Sequence, residues 1–554
     1  MPSAPDSPVV GLVLSGGGAR SSFQMGALRY LYDEVGIAPS VITGTSAGSI
    51  LGAVLAQSGD HRGQRTSLAD LERLWGEMTS SADMFEELPW FTRLRERGPV
   101  WIEALERRKR RQGTLGRSFK RVADLRHGIS AAAERAVRND DDAPQEPSAS
   151  PDAAVPFDAA AVTAPPTRLT PDDDGGTDAS ADGAVAAGAG RAPEGRAARR
   201  RTATAEVLER TAAPREATAK EESAWGTTRL LESIEILKTV GRVSTDLETI
   251  VHGAQQERSM FRPGPIVDRL LDPEVFDPAA VARSGVRLRI AVVALESGEL
   301  RYVTEAGDLV DRENRPLEGE RRVDLTEAVR ASCAIPTVFP PVRLGEENYV
   351  DGGVRESLPA EIATDHLGVD TCYAVVAGPS GVSREESFDG RDMLSVVMRT
   401  TTAIMTDELQ RDEVAQAKAA GAVVIEPEFD VHDTLTIEPG LVAIAMDYGY
   451  LRAAETVLGS TAEERAVTRE LVLLRRRIWH AEEEALAPEA ELGDARRLEV
   501  VTGITGLKFE LRDLLRRVPE GRLPPGAEQW WRTWEHHTFD IPVTPTWVPA
   551  RAER

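Results

Sequence analysis

Short apolar runs alternate with segments of helical periodicity near the start of the chain. Val9–Leu14 and Val41–Thr43 are runs typical of parallel strands buried on both faces. Phe23–Val35 and Ser46–Gln57 instead space their apolar residues as amphipathic or buried helices do. Because strands and helices alternate, this part of the chain predicts a parallel sheet covered by helices.

The same alternation returns in the second half of the chain. Leu230–Val251 predicts an amphipathic helix, and Val286–Leu295 and Leu300–Thr304 predict two strands joined by a tight turn. The other predicted elements are helices at Leu325–Ala334, Met393–Ala420, Leu441–Leu458, Arg469–Ala485 and Leu507–Arg517, and strands at Asn348–Val350, Thr371–Val376 and Ala422–Ile425.

Between these two regions the composition changes. Residues 139–222 are rich in Ala, Pro, Gly and Asp and hold few large apolar side chains, so they cannot bury enough surface to offset the entropy of ordering. We therefore expect a disordered insertion at 139–222. It would interrupt one α/β domain formed by 1–138 and 223–460, which a helical C-terminal extension, 461–554, would follow.

Composition and charge exclude several classes of function. The formal net charge is -24, whereas a general nucleic-acid binder needs concentrated positive charge. The two cysteines, Cys333 and Cys372, allow at most one bridge, which fits a reducing compartment. The first residues do not resemble a secretory signal, and the longest apolar stretch, Val41–Ala56, is too short and polar to span a membrane. We expect a soluble, cytoplasmic protein.

Gly44-Thr45-Ser46-Ala47-Gly48 fits the pattern G-x-S-x-G between a predicted strand and a predicted helix. The two glycines allow a sharp turn that would expose the serine side chain, and the N-terminus of the following helix would favour negative charge there. The pattern thus makes Ser46 a candidate nucleophile. A plain glycine-rich turn remains the alternative.

A second turn, Ser15-Gly16-Gly17-Gly18-Ala19-Arg20, also lies between a strand and a helix. Its glycines leave backbone N–H groups unscreened, and such groups can bind an oxyanion during acyl transfer. A phosphate-binding turn is the competing interpretation, but the turn lacks the P-loop pattern, and Ser21 occupies the position where a dinucleotide fingerprint has glycine. Arg20 could orient the loop, meet a lipid phosphate or form a structural salt bridge.

Asp351-Gly352-Gly353 follows a strand-like segment, so its aspartate could reach a site at a sheet edge and accept a serine proton. A turn aspartate is the alternative. None of the eight histidines stands in a pattern that marks a base, which favours a Ser–Asp pair over a Ser–His–Asp triad. The sequence contains no metal-binding motif and implies no cofactor.

Together, the three motifs resemble the patatin-like phospholipase family. The matching segments are GLVLSGGGARSSFQMGALRYL, GIAPSVITGTSAGSILGAVLA, ASCAIPTVFPPV and YVDGGVRESLP, with a weaker match through MDYGYLRAAETVL. The resemblance implies a three-layer α/β/α sandwich with a mostly parallel sheet. It also implies a catalytic dyad in which Ser46 attacks an acyl carbonyl and Asp351 takes its proton. The implied oxyanion hole consists of Gly16, Gly17, Gly18 and Ala19, and the remaining motif positions are Arg20, Gly44, Gly48, Gly352 and Gly353.

The function that the resemblance implies is hydrolysis of fatty-acyl esters of phospholipids or related lipids, with transient contact to a membrane surface. Family members usually have glycine where this chain has Ser21, so a lipid-binding or regulatory protein with little activity is the alternative. A basic run within Trp101–Arg111 is either a solvated helix face or a lipid-facing surface. The tryptophans near the C-terminus either pack the tail on the catalytic domain or face lipid. The oligomeric state stays open.

Overall fold

The computed structural model describes residues 8–93, 253, 256–382, 384–385, 387–389, 396–397, 399–486 and 493–537. The chain divides into two units, Met1–Ile102 with Glu222–Arg554, and Glu103–Glu221. The expected insertion 139–222, the helix expected at Leu230–Val251 and the basic run lie outside the described residues, and the domain boundaries stay predictions.

A mixed nine-stranded sheet forms the centre of the first unit in the part of the chain that is described. Its strands are β1 (Val10–Leu14), β2 (Val41–Thr45), β5 (Arg287–Ala294), β6 (Leu300–Thr304), β7 (Leu309–Val310), β8 (Val342–Leu344), β9 (Glu347–Asp351), β10 (Thr371–Val375) and β11 (Val423–Ile425), and a separate pair consists of β3 (Phe85–Glu87) and β4 (Phe261–Pro263). The order β11-β10-β1-β2-β5 is parallel, whereas β6, β7, β8 and β9 pair antiparallel. The predicted α/β class is confirmed.

Strand β5 pairs with β6 along one edge and with both β2 and β9 along the other. On that second edge, β2 and β9 run toward each other. On the shared edge, β2 runs parallel to β5 and ends with Thr45 opposite Ala291, while β9 runs antiparallel and ends with Asp351 opposite Val292. Because Ala291 and Val292 are consecutive, the carboxyl ends of β2 and β9 meet at one point of the sheet.

Helices cover this sheet. Their bounds are α1 (Ser21–Tyr30), α2 (Ala47–Leu55), α3 (His61–Gly76), α4 (Pro265–Leu270), α5 (Pro278–Ser284), α6 (Leu325–Ser332), α7 (Met405–Ala419), α8 (Pro439–Leu458), α9 (Ala462–Leu486) and α10 (Asp494–Leu515). Glycines let α1 and α8 pack with their backbones in contact, since a Cβ on Gly26 would lie 1.7 Å from the carbonyl oxygen of Met446. Helix α8 therefore supports the helix that follows the glycine-rich loop.

Several helices differ from the sequence-based bounds. The helix predicted over Phe23–Val35 continues beyond Tyr30 as a wider π-helical turn, Leu31–Val35, which ends at left-handed Gly36. A similar turn, Arg399–Ile404, precedes α7, and most of 390–398 lies outside the described residues. Helix α9 begins at Ala462, before the predicted Arg469, with a polar first turn that gives no apolar periodicity. Helix α10 begins at Asp494, before the predicted Leu507, in a segment whose helical preference Gly503 and Gly506 lower.

The C-terminal extension packs on α8 through buried ion pairs. Arg475 of α9 pairs with Glu535 over 2.9 Å and with Asp447 of α8 over 2.7 Å. The Trp530 ring lies under the Arg475 guanidinium, 3.8 Å from its central carbon, and Lys508 pairs with Glu482 in full burial. Trp530 therefore takes part in packing. Among the helices that the structure describes, none has the length and apolarity needed to cross a membrane.

Candidate active site

Ser46 lies at a strained turn between β2 and α2. Its backbone has φ 54° and ψ −128°, a conformation that residues other than glycine rarely adopt. Glycines allow the tight path on both sides, because a Cβ on Gly44 would lie 2.6 Å from the carbonyl oxygen of Gly48, and one on Gly48 would lie 2.5 Å from that of Leu14. The turn has the geometry of a nucleophile elbow.

Two serines hold the backbone of Ser46. Its N–H donates to Ser332 Oγ over 2.9 Å, and Ser332 Oγ donates to the carbonyl oxygen of Ala291 over 2.7 Å. The Ser49 hydroxyl donates to the Ser46 carbonyl over 2.6 Å. Because Ser46 is the N-cap of α2, its side chain lies at the positive end of that helix.

Asp351 ends β9 and is buried next to this turn. The Gly353 N–H donates to Asp351 Oδ1 over 2.8 Å, whereas Oδ2 has no partner of ordinary hydrogen-bond geometry among the described residues. Burial raises the pKa of Asp351 to about 6, against the opposing effects of the nearby Ser46 hydroxyl and the Gly353 N–H. The structure thus brings the carboxylate and the serine together, with one carboxylate oxygen open to accept a proton.

The glycine-rich loop passes directly beside Ser46, since a Cβ on Gly16 would lie 3.4 Å from Ser46 Cβ. The N–H of Gly16 donates to Ser357 O over 3.0 Å and the N–H of Ala19 to Thr434 O over 2.9 Å, so these two groups are engaged elsewhere. The N–H groups of Gly17 and Gly18 make no hydrogen bond within the described residues. Among the four residues expected to form the oxyanion hole, Gly17 and Gly18 are therefore the better candidates for its donors, and this assignment stays a prediction.

Ser21 and Arg20 stabilise the same loop. The buried Ser21 hydroxyl donates to the Gly18 carbonyl over 2.8 Å, so it holds the loop through a carbonyl group and accepts no hydrogen bond from the N–H groups of Gly17 and Gly18. Arg20 forms a partly exposed salt bridge with Asp430 at 3.1 Å, which matches the structural role among the alternatives for this residue.

No histidine in the described part of the chain hydrogen-bonds to Ser46 or Asp351. His432 comes near the glycine-rich loop, where its Nε2 lies 3.0 Å from Ser22 Oγ, and burial lowers its pKa. His127 and His252 lie outside the described residues. This arrangement favours the two-residue interpretation. The described residues also contain no group of three or more side chains suited to holding a metal ion.

A further carboxylate, Glu413 of α7, anchors the segment after Asp351. It accepts the N–H groups of Ser357 at 3.1 Å and Leu358 at 2.8 Å. Burial, with a smaller contribution from nearby Glu356, raises the pKa of Glu413 to about 8. The side chains of Glu413 and Glu356 both line a cavity of about 340 Å³. Sequence reasoning missed Glu413 and Ser332. The segment Ala-Ser-Cys-Ala-Ile-Pro was recognised in the sequence as part of the family resemblance, but the hydrogen bond between its Ser332 and the backbone of Ser46 was not predicted.

Comparison with known proteins gives three findings. The model of the family described as patatin-like phospholipase matches residues 12–189 and 183–364. A stretch of 51 residues is 53% identical to Lysophospholipase nte1 of Aspergillus niger, and it covers 9% of this chain and 3% of that protein. VipD from Legionella pneumophila aligns over 95% of this chain and 91% of its own at 13% identity, with a TM-score of 0.24 that is too low to support a conclusion.

The matched region contains all three motifs of the site. It extends over more than half of the chain, from β1 through the glycine-rich loop and the Ser46 turn to the segment beyond Asp351. The resemblance inferred from the motifs is thereby confirmed, and the chain belongs to the patatin-like phospholipase family.

Proposed function

We propose that the chain is a serine acyl hydrolase that cleaves fatty-acyl esters of phospholipids or related lipids. The observation that carries the proposal is the meeting of Ser46, on a strained turn at a helix N-terminus, with the buried carboxylate of Asp351. Family membership supports the substrate class. Lysophospholipids are the first substrates to test, because the relative from Aspergillus niger is called a lysophospholipase.

In the proposed reaction, Asp351 takes up a proton and gives it back in each of two steps, acylation and deacylation. Ser46 Oγ attacks the acyl carbonyl while Asp351 Oδ2 takes the hydroxyl proton, and the alcohol leaves with that proton. A water molecule then gives a proton to Asp351 and attacks the acyl-enzyme. Asp351 returns that proton to Ser46 Oγ as the ester bond breaks, which releases the fatty acid and restores both residues. The N–H groups of Gly17 and Gly18 would stabilise both oxyanions.

The raised pKa of Asp351 suits this role. A base works best when its pKa lies near the working pH, and burial brings that of Asp351 to about 6. The carboxylate is then mostly ionised at neutral pH, yet it is a stronger base than an exposed aspartate, whose pKa is near 3.9.

Two features motivate the lipid-binding alternative: Ser21 and the insertion 139–222, which lies outside the described residues. The Ser21 hydroxyl contacts the Gly18 carbonyl and leaves the N–H groups of Gly17 and Gly18 open, so this substitution does not by itself favour loss of activity. A cytoplasmic location and transient contact with a membrane surface remain part of the proposal.

The test is hydrolysis of lysophosphatidylcholine and of phosphatidylcholine vesicles by the full chain, with fatty-acid release as the readout. We expect release that Ser46→Ala and Asp351→Asn each abolish, while Ser284→Ala, a partly buried serine at the opposite end of β5, stays at the wild-type rate. Vesicle binding without Ser46-dependent release would favour the alternative.

A further inference from the structure

Ser332 is a fully buried polar residue at the end of α6 that the Ser46–Asp351 pair does not itself require. It belongs to the segment Ala-Ser-Cys-Ala-Ile-Pro, one of the motifs that carry the family resemblance. A buried hydroxyl must satisfy its hydrogen-bonding capacity within the protein, so its partners indicate its role.

Both partners of Ser332 are backbone groups at the point where β2 leaves the sheet. The hydroxyl accepts the N–H of Ser46 at 2.9 Å and donates to the carbonyl of Ala291 at 2.7 Å. Ala291 is the residue of β5 opposite Thr45, the last residue of β2. The Ser332 hydroxyl therefore connects Ser46, the first residue after β2, to the neighbouring strand β5.

The same short segment also holds the aspartate. Two residues after Ser332, the carbonyl of Ala334 accepts the N–H of Asp351 at 3.0 Å. The stretch 332–334 thus binds the backbone of Ser46 at one end and the backbone of Asp351 at the other. One short stretch therefore contacts both residues of the proposed catalytic pair through their backbones.

We propose that Ser332 is a positioning residue, which keeps Ser46 in its strained backbone conformation and in register with Asp351; this inference rests on the proposed hydrolytic function. The strain needs such support, because a residue with φ 54° that is not glycine relaxes unless its surroundings hold it. Without the hydroxyl, the Ser46 N–H and the Ala291 carbonyl lose their shared partner in a buried site.

The chain offers a closely matched control in Ser284. It is the last residue of α5, as Ser332 is of α6, and its hydroxyl also accepts a backbone N–H, from Val286, and donates to a carbonyl, that of Val281. Ser284 lies shortly before the first residue of β5, whereas Ser332 hydrogen-bonds to Ala291 in the second half of that strand. Loss of either hydroxyl removes the same kinds of bond, but only one of them lies at the site.

The experiment compares the full-length wild type with Ser332→Ala and Ser284→Ala in fatty-acid release, in the rate of Ser46 labelling by a fluorophosphonate, and in melting temperature. We expect Ser332→Ala to lower kcat and the labelling rate by about 10- to 100-fold, with KM changed less than about threefold, because small displacements of a nucleophile have large kinetic effects. Ser284→Ala should match the wild type in both rates, and it should lose less melting temperature than Ser332→Ala because Ser284 is only partly buried.

If kcat and labelling of Ser332→Ala equal those of Ser284→Ala, the positioning role is wrong while the hydrolytic function stands. If the wild type itself shows no Ser46-dependent release, both fail. Should Ser332→Ala not fold, Ser332→Cys decides, since a thiol hydrogen-bonds only weakly. A kcat at least about fivefold below wild type supports the role, and a smaller effect overturns it.

Discussion

The backbone N–H of Gly16 donates to the carbonyl oxygen of Ser357 over 3.0 Å, which joins the glycine-rich loop directly to the segment that follows Asp351. The N–H of Ser357 in turn donates to Glu413 of α7. The loop proposed to bind the oxyanion and the segment that follows the proposed base are therefore both connected to one side chain, Glu413, on a helix outside the three sequence motifs.

Replacement of Glu413 by alanine should destabilise the fold. The N–H groups of Ser357 and Leu358 would lose their acceptor, and each unsatisfied buried donor costs about 1–3 kcal/mol. Chemical denaturation at neutral pH measures the loss. Glu413→Gln keeps one acceptor oxygen and should lose less, and Asp412→Ala, an exposed neighbour, should lose little. A loss for Glu413→Ala no larger than for Asp412→Ala would contradict this account of the segment.

Substitution of Gly18 by alanine should reduce both stability and activity. Gly18 has φ +57°, and a Cβ there would lie 2.7 Å from the carbonyl oxygen of Thr434, so the loop must shift. A left-handed conformation costs an alanine about 1–2 kcal/mol by itself. Gly36→Ala is the matched control, because Gly36 has φ +74° with open space around it.

Comparison of the two glycine variants separates the effect of backbone strain, which both share, from the effect of displacing the glycine-rich loop, which only Gly18→Ala causes. Both should lose melting temperature, but only Gly18→Ala should also lose kcat, because only its loop carries the proposed oxyanion donors. Wild-type kcat in a folded Gly18→Ala protein would argue that Gly17 and Gly18 do not bind the oxyanion.

The pH dependence of hydrolysis should report the ionisation of Asp351. The base must be deprotonated to act, and burial raises its pKa to about 6, so kcat/KM should rise as the pH increases through about 6 and then level off. Initial rates from pH 4.5 to 8.5 at constant ionic strength measure this, with circular dichroism at each pH to establish that the fold persists. A profile that is flat from pH 5 to 8 would be inconsistent with Asp351 as the base.

The C-terminal segment should be important for stability. Glu535→Ala would leave the buried Arg475 with Asp447 as its remaining carboxylate, and breaking a buried pair in this way typically costs about 3–5 kcal/mol. Thermal unfolding of Glu535→Ala beside Glu528→Ala, an exposed carboxylate nearby, measures the difference. Equal melting temperatures for the two variants would show that the ion pair does not hold the segment.

Much of the central sheet was predictable from the sequence because its strands are short apolar runs. Val10–Leu14, Val41–Thr45 and Thr371–Val375 pair side by side as buried parallel strands. The hairpin around Glu-Ser-Gly-Glu was also predicted, and Val293 pairs with Leu300 across it. The turn at Ser46 was visible for a local reason, since its flanking glycines make the close contacts that the turn needs.

What the sequence did not predict depends on contacts between distant residues. Nothing near Ser332 or Glu413 in the sequence indicates that one binds the Ser46 N–H and the other the Ser357 N–H. The N–H groups of Gly16 and Ala19 likewise donate to residues far along the chain. The composition of the loop alone therefore could not indicate which of its N–H groups are available to an oxyanion.

The central claim is that Ser46 is a nucleophile activated by Asp351, and covalent labelling tests it most directly. The full chain is treated with a fluorophosphonate at pH 7.5, the adduct is located by peptide mass spectrometry, and the labelling rate is compared among wild type, Asp351→Asn and Ser284→Ala. We predict a single adduct on Ser46, formed at least about 100-fold more slowly in Asp351→Asn and at the wild-type rate in Ser284→Ala. An adduct on another residue, or equal rates in wild type and Asp351→Asn, would contradict the account.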